Sequence, residues 1–194
     1  MTTDYIPEEL LWRLMDCMCP GNAVALMLMV ATGMRIGDVL NQRLIAWSDV
    51  LSGVSSSMQY RESKTGKDRV IRVPAAVAAA LRTLPRGKSP WLFPGRYPER
   101  PRTRQAVYKD LNRVAKLYRV NGKKIRARLG THTARKIYAV KLYHEAEKLG
   151  RYEPLEYVRV DLNHASREVT FLYALADEIS GRKWRLPEGR QISS

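Results

Sequence analysis

The sequence predicts an α+β domain that is mostly α-helical and carries one small β-hairpin. Three observations lead there. Apolar residues recur at three- and four-residue spacing along most of the chain, which is the period of a helix with one buried face. Only residues 57–73 switch to short apolar strings on either side of a turn-forming segment, Lys64-Thr65-Gly66-Lys67-Asp68. Proline and glycine cluster between these blocks and punctuate them.

Taken in order, Pro7 followed by Leu10, Leu11, Leu14, Met15 and Met18 predicts a first helix that ends at Pro20-Gly21. The apolar run Ala23 to Ala31 predicts a second, buried helix. Thr32-Gly33 interrupts the chain, and Ile36, Val39 and Leu40 resume the helical period, so Arg35 falls at a turn between helices. Met58, Gln59 and Tyr60 on one side and Val70, Ile71 and Val73 on the other form the hairpin, with Lys64 where strand becomes turn. Pro74 opens an alanine-rich helix to Thr83, and the prolines and glycines from Pro85 to Pro101 mark an irregular connection.

From Thr103 to Val120 an inward stripe of Val107, Leu111, Val114, Ala115 and Tyr118 predicts a helix with Lys109, Arg113 and Lys116 on an opposite face. Periodicity alone leaves two readings of that face, a groove-binding surface or an ordinary solvated one. Lys123, Lys124, Arg126 and Arg128 follow as a cluster suited to phosphate contacts. Helices are predicted over Thr133 to Leu149, Pro154 to Leu162, and Ser166 to about Asp177, the last with Ser166 as N-cap.

A chain of 194 residues is sized for one core and is short for two independent domains. Its 34 Lys and Arg against 19 Asp and Glu leave a formal charge of +15, interleaved with apolar residues rather than gathered in a tail. That pattern points to a folded surface for a polyanion, double-stranded DNA before an anionic membrane. The apolar run of nine residues at Ala23 to Ala31 is far shorter than the roughly 20 that span a bilayer. No secretory signal pattern opens the chain, so a cytoplasmic, nucleoid-associated location is expected. Cys17 and Cys19 read as reduced thiols, and two Cys with three scattered His fall short of a zinc set. Gly87-Lys88-Ser89 resembles the end of a P-loop, but Arg82 stands where its first glycine belongs, and the segment reads as loop. No metal or other cofactor is expected.

Breaking a phosphodiester without a metal requires a nucleophile, cations on the non-bridging oxygens and a proton donor for the departing oxygen. Tyr, Arg, Lys and His supply all of these. The run ATGMRIGDVL resembles the arginine-bearing segment of the tyrosine recombinase (phage integrase) family, and ESKTGKDRVIRVP is similar to that family's catalytic-lysine hairpin. THTARKIYA carries an H-x-x-R pair like theirs. LNHASREVTFLYA resembles their closing segment, with His164 nine residues before Tyr173. The ordered set spans Arg35 to Tyr173, most of the chain, whereas each piece alone is unspecific.

The resemblance implies a DNA breaking-rejoining catalytic domain in which Arg35 and Arg135 grip the scissile phosphate and Lys64 protonates the departing 5′ oxygen. Lys67 competes for that last role and is otherwise a DNA contact. His132 assists proton movement at the nucleophile, His164 hydrogen-bonds the phosphate, Asp38 supports the site, and Tyr173 attacks phosphorus. It also implies a homo-oligomer on DNA, a tetramer, helped by accessory DNA-bending or directionality factors. The separate N-terminal DNA-clamping domain usual in the family is not expected here, and residues 173–194 are expected to end the nucleophile helix and dock on a neighbouring protomer. Two readings share this chemistry, a hairpin telomere resolvase and a type IB topoisomerase. A non-catalytic DNA-binding regulator is the reading from another class.

Overall fold

The computed structural model describes residues 3–180, and the tail expected to dock on a neighbour lies mostly outside them. The helix-rich expectation holds. The helices are α1 (Glu8–Met15), α2 (Pro20–Thr32), α3 (Ile36–Leu40), α4 (Ser48–Ser52), α5 (Ala75–Arg82), α6 (Arg104–Leu117), α7 (Thr131–Lys148), α8 (Pro154–Asp161), α9 (Arg167–Ala174) and α10 (Ala176–Ser180), with a 3-10 turn over Leu44–Trp47. Strands β1 (Ser57–Arg61) and β2 (Asp68–Arg72) form the expected antiparallel hairpin, with Met58 opposite Ile71 and Tyr60 opposite Arg69. These four inward positions are buried and their neighbours exposed, as a pleated strand with one covered face requires.

Two boundaries differ from expectation, and one element was not expected. Pro20 opens α2 instead of closing α1, because a proline at the first helical position gives up an amide that had no intrahelical acceptor. The helix expected to Val120 stops at Leu117, and Arg119–Val120 pairs with Lys123–Lys124 as a second hairpin, β3 and β4. Its turn is Asn121-Gly122, both at positive φ (51° and 75°), a hairpin signal that was present in the sequence. Both cysteines are free and exposed.

The main core joins α1, α2, α3, the first hairpin, α5 and α6, with Trp47 and Phe93 fully buried at its edge. Burying side chains of that size contributes about 1.5–3 kcal/mol each. A smaller cluster of Ala139, Val158, Leu162 and Ala174 lies between α7, α8 and α9. Helix α7 packs against α2 on one side and α8 and α9 on the other, and so joins the two clusters. Among the described residues no helix is long and apolar enough to cross a membrane.

Gly33 ends α2 in the left-handed conformation at φ 66°, with its amide bonded to Met29 O. A Cβ there would lie 2.4 Å from the Tyr138 ring, so both backbone and space demand glycine. The turn it makes places Arg35 at the head of α3, facing α7.

Candidate active site

A pocket of about 300 Å³ opens at the N-terminus of α7 and is lined by Arg35, Lys64, His132 and Arg135, together with Ser63 and Arg104. His132 and Arg135 share a helix face because they are three residues apart in α7. Arg35 comes from the α2–α3 turn, and Lys64 from the tip of the first hairpin. Thr131 and His132, the first two residues of α7, line this space, and the positive end of the helix adds to its attraction for anions.

Arg135 is buried and held from behind. Its guanidinium donates to Gly33 O, and through Nη2 to Leu162 O at 2.7 Å. Burial, and then the like charges of Arg35 and Arg69, lower its pKa to about 10, which still leaves it charged at neutral pH. A buried cation fixed by carbonyl dipoles, with no carboxylate in hydrogen-bond contact among the described residues, is ready to receive an anion.

Arg35 is tied differently. Its Nη1 lies 2.7 Å from Oε2 of Glu62, a carboxylate with 0% exposure. The contact is a close ion pair without hydrogen-bond alignment at Arg35 Nη1, and the other Glu62 oxygen, Oε1, has no hydrogen-bond partner among the described residues. Thr65 Oγ1 donates to the same Oε2 at 2.7 Å. Burial pushes the Glu62 carboxyl up, but Arg35, Thr65 and Arg135 outweigh it and hold the group below the ordinary range. Sequence reasoning missed Glu62, because an acidic residue beside a hairpin turn carries no local sign of burial.

Asp38 is also buried, and its Oδ1 accepts from Ser63 N at 3.0 Å and Ser63 Oγ at 2.5 Å. It therefore fixes the residue next to Lys64. Arg104, at the first turn of α6, is a further cation in the pocket that the sequence did not single out.

His164 and Tyr173 sit beside the pocket, not among its lining residues. Their rings meet edge to face with centroids 5.2 Å apart, and Lys136 Nζ lies 5.7 Å from the centre of the Tyr173 ring. Ser166 caps α9 by accepting from Val169 N, which sets the helix that presents Tyr173. Thr170 donates its hydroxyl proton to Ser166 O at 3.1 Å, so its oxygen accepts from His164 Nδ1 at 3.2 Å. Burial, then Arg135 and Arg35, lower His164 to about 4. Burial and surrounding cations, Arg135 first, also lower His132, so both imidazoles are neutral at pH 7. Burial raises the Tyr173 phenol against the opposing pull of Arg135 and Arg35.

The candidate DNA contacts are all exposed. Lys67 lies in the hairpin turn and Lys109, Arg113 and Lys116 on the outer face of α6. Arg113 is engaged by Asp110 at 2.7 Å and by Cys17 O at 3.3 Å. Lys123, Lys124 and Arg126 line a separate basic hollow with Asp4 and Tyr5, and Arg128 follows them. Among the described residues no group of three His, Cys, Asp or Glu is close enough to hold a metal ion.

The phage integrase family model matches residues 5–178. No curated protein gives a significant match. Among solved structures, the XerH site-specific recombinase bound to its palindromic difH substrate superposes with TM-score 0.64 at 20% identity, covering 94% of this chain and 53% of that one. A lambda integrase dimer bound to a core site gives TM-score 0.64 at 18% identity, covering 98% and 52%. The Tn1549 transposon integrase in complex with circular intermediate DNA gives 0.66 at 13%, covering 89% and 62%. At these identities the likeness is one of fold, and this chain spans about half the length of the XerH and lambda integrase chains. The ordered motifs, the architecture and a family match across nearly all of the described residues agree: the chain belongs to the phage integrase family.

Proposed function

We propose that this chain cleaves and rejoins DNA strands at specific sites through a 3′-phosphotyrosyl bond to Tyr173, acting as one catalytic domain over residues 1–194. The observation that carries the reading is the shared pocket of Arg35, Lys64, His132 and Arg135 with the His164–Tyr173 pair against its side.

A phosphodiester entering this pocket meets two guanidinium forks, Arg35 and Arg135, on its non-bridging oxygens. Their attraction grows as charge builds in the transition state, and loss of one such donor typically costs about 10²–10³ in rate. The Tyr173 oxygen attacks phosphorus while its proton passes to His132, whose neutral ring has a lone pair to receive it. The bond from phosphorus to the 5′ oxygen breaks, and that oxygen takes a proton from Lys64. One phosphoester replaces another, so bond energy is kept, and the free 5′ hydroxyl of a partner strand reverses the step. Burial, and then the arginines, hold His164 neutral in the free site. A bound phosphate offsets the arginines' field and raises the ring's proton affinity, which favours it as a hydrogen-bond donor to the phosphate. No cofactor enters this scheme.

Double-stranded DNA is the partner, with Lys67, Lys109, Arg113, Lys116, Lys123, Lys124, Arg126 and Arg128 as backbone contacts. The active assembly is a tetramer on DNA, aided by bending or directionality factors, and its location is the cytoplasm with the nucleoid. The charge of +15 and the DNA complexes formed by its structural neighbours support this.

Incubating the full chain with a pool of nicked duplexes of randomised sequence should yield a protein–DNA adduct that survives denaturation. Tyr173→Phe should abolish the adduct and leave DNA binding within about 2-fold. An adduct that persists in Tyr173→Phe assigns the nucleophile wrongly, and none from the parent chain removes the catalytic reading.

A further inference from the structure

Two of the candidate catalytic side chains, Arg35 and Lys64, come from segments far apart in sequence, and one buried carboxylate touches the supports of both. Glu62 is the first residue after β1. Its amide donates to Lys67 O at 2.9 Å and its carbonyl accepts from Gly66 N at 2.9 Å, so its backbone closes the turn that carries Lys64. Its side chain points the other way, into the core, where Oε2 meets Arg35 Nη1 and the Thr65 hydroxyl, both at 2.7 Å. Thr65 belongs to that same turn. On the far side of Lys64, Ser63 is pinned to Asp38 of α3, three residues beyond Arg35.

A fully buried carboxylate is costly to desolvate and is retained only against strong partners. It is also within electrostatic reach of both Arg35 and Arg135, and its charge offsets part of their mutual repulsion. Replacing such a pair as a whole by well-packed apolar side chains is often neutral or stabilising, so stability alone is a weak reason for its presence.

We infer that Glu62 is a positioning residue that holds Arg35 and the Lys64 turn in one register, so that gripping the phosphate and protonating the leaving oxygen are set together. The inference rests on the cleavage reading above. Glu62 touches no reacting atom and acts through Arg35 and Thr65.

The test uses the full chain with Glu62→Gln, which keeps the shape and loses the charge, and Glu62→Ala as the second variant. Single-turnover adduct formation is measured on a nicked duplex and on the same duplex with sulfur replacing the bridging 5′ oxygen, a leaving group that needs little proton donation. Lys64→Ala should be slow on oxygen and restored on sulfur; Arg35→Ala should be slow on both. Glu62→Gln should be about 10- to 100-fold slower on oxygen, the usual range for a residue orienting a reactive group. Sulfur should recover only part of that loss, and DNA affinity should stay within about 2-fold. Parental rates in both Glu62 variants would overturn the inference, as would complete recovery, or none, on sulfur. Amide exchange in the free protein decides the link without catalysis. Arg35→Ala should speed exchange at Gly66 several-fold through the loss of Glu62's partner, and unchanged exchange there overturns the link. A parent chain that forms no adduct while Gly66 responds would sink the cleavage reading alone.

Discussion

Burial and the two arginines beside it keep the His164 ring neutral down to about pH 4 in the folded chain. An unfolded chain exposes a histidine of ordinary value, near 6.5. Between these values the unfolded state binds more protons, so stability rises with pH through that window and is lost as pH falls from about 6.5 to 4. At about 1.36 kcal/mol per pH unit, His164 accounts for up to about 3 kcal/mol of that slope. His164→Gln should therefore flatten the dependence between pH 4 and 6.5, read from urea midpoints at several pH values. A slope equal to that of the parent chain would show that the ring is not buried as described. The same burial keeps Tyr173 protonated at neutral pH, so the proposed attack requires a neutral acceptor such as His132.

At the scale of elements, the turn end of the first hairpin is fastened to the helices at several points. Asp38 and Glu62 hold its turn. Arg69 in β2 reaches across to donate from Nη2 to Asp161 at 2.7 Å, at the end of α8, and to Thr32 O at 2.9 Å, at the end of α2. Tyr138 of α7 donates to the same Asp161 oxygen at 2.9 Å. The backbone at Leu162 is in turn what Arg135 grips, so strand β2, the α2 end and the segment leading to His164 meet in one polar knot. Arg69→Met strands the partly buried Asp161 and should cost about 3 kcal/mol, the lower end for breaking such a pair. Adding Asp161→Leu removes the stranded charge and should recover at least about 1 kcal/mol. Urea denaturation of the parent, single and double variants checks this, and strictly additive losses would refute the pairing.

For the whole molecule the dominant property is charge. Basic side chains are spread over α6, the second hairpin and the segment after it, all exposed, so the protein presents a broad positive surface to a polyanion, and on the proposed reading that polyanion is DNA. Lys123 and Lys124 occupy both paired positions of β4 and line the hollow beside Asp4 and Tyr5. Replacing both with Ala should weaken binding to all duplexes alike and reduce the slope of log affinity against log salt by about 1–2, since each phosphate neutralised contributes about 0.9. Fluorescence anisotropy from 50 to 300 mM salt measures it. An unchanged slope would mean that β4 faces away from the DNA.

What the sequence determined by itself was whatever depends on near neighbours in the chain. Apolar strings on either side of Lys64-Thr65-Gly66-Lys67-Asp68 dictate a hairpin, the spacing of His132 and Arg135 puts them on one helix face, Thr32-Gly33 breaks the helix before Arg35, and Ser166 caps α9. The second hairpin went unread although Asn121-Gly122 announced its turn, because strands of two residues are too short to show a period. Tertiary structure alone decided which charges are buried. Glu62, Asp38 and Arg69 look like surface residues in the sequence, and each becomes a core residue because its partner arrives from another segment, as Asp38 and Ser63 do across 25 positions. A charge leaves water only when an opposite group is in place to receive it, and that placement is set by the packing of helices around α7, not by any stretch of the chain.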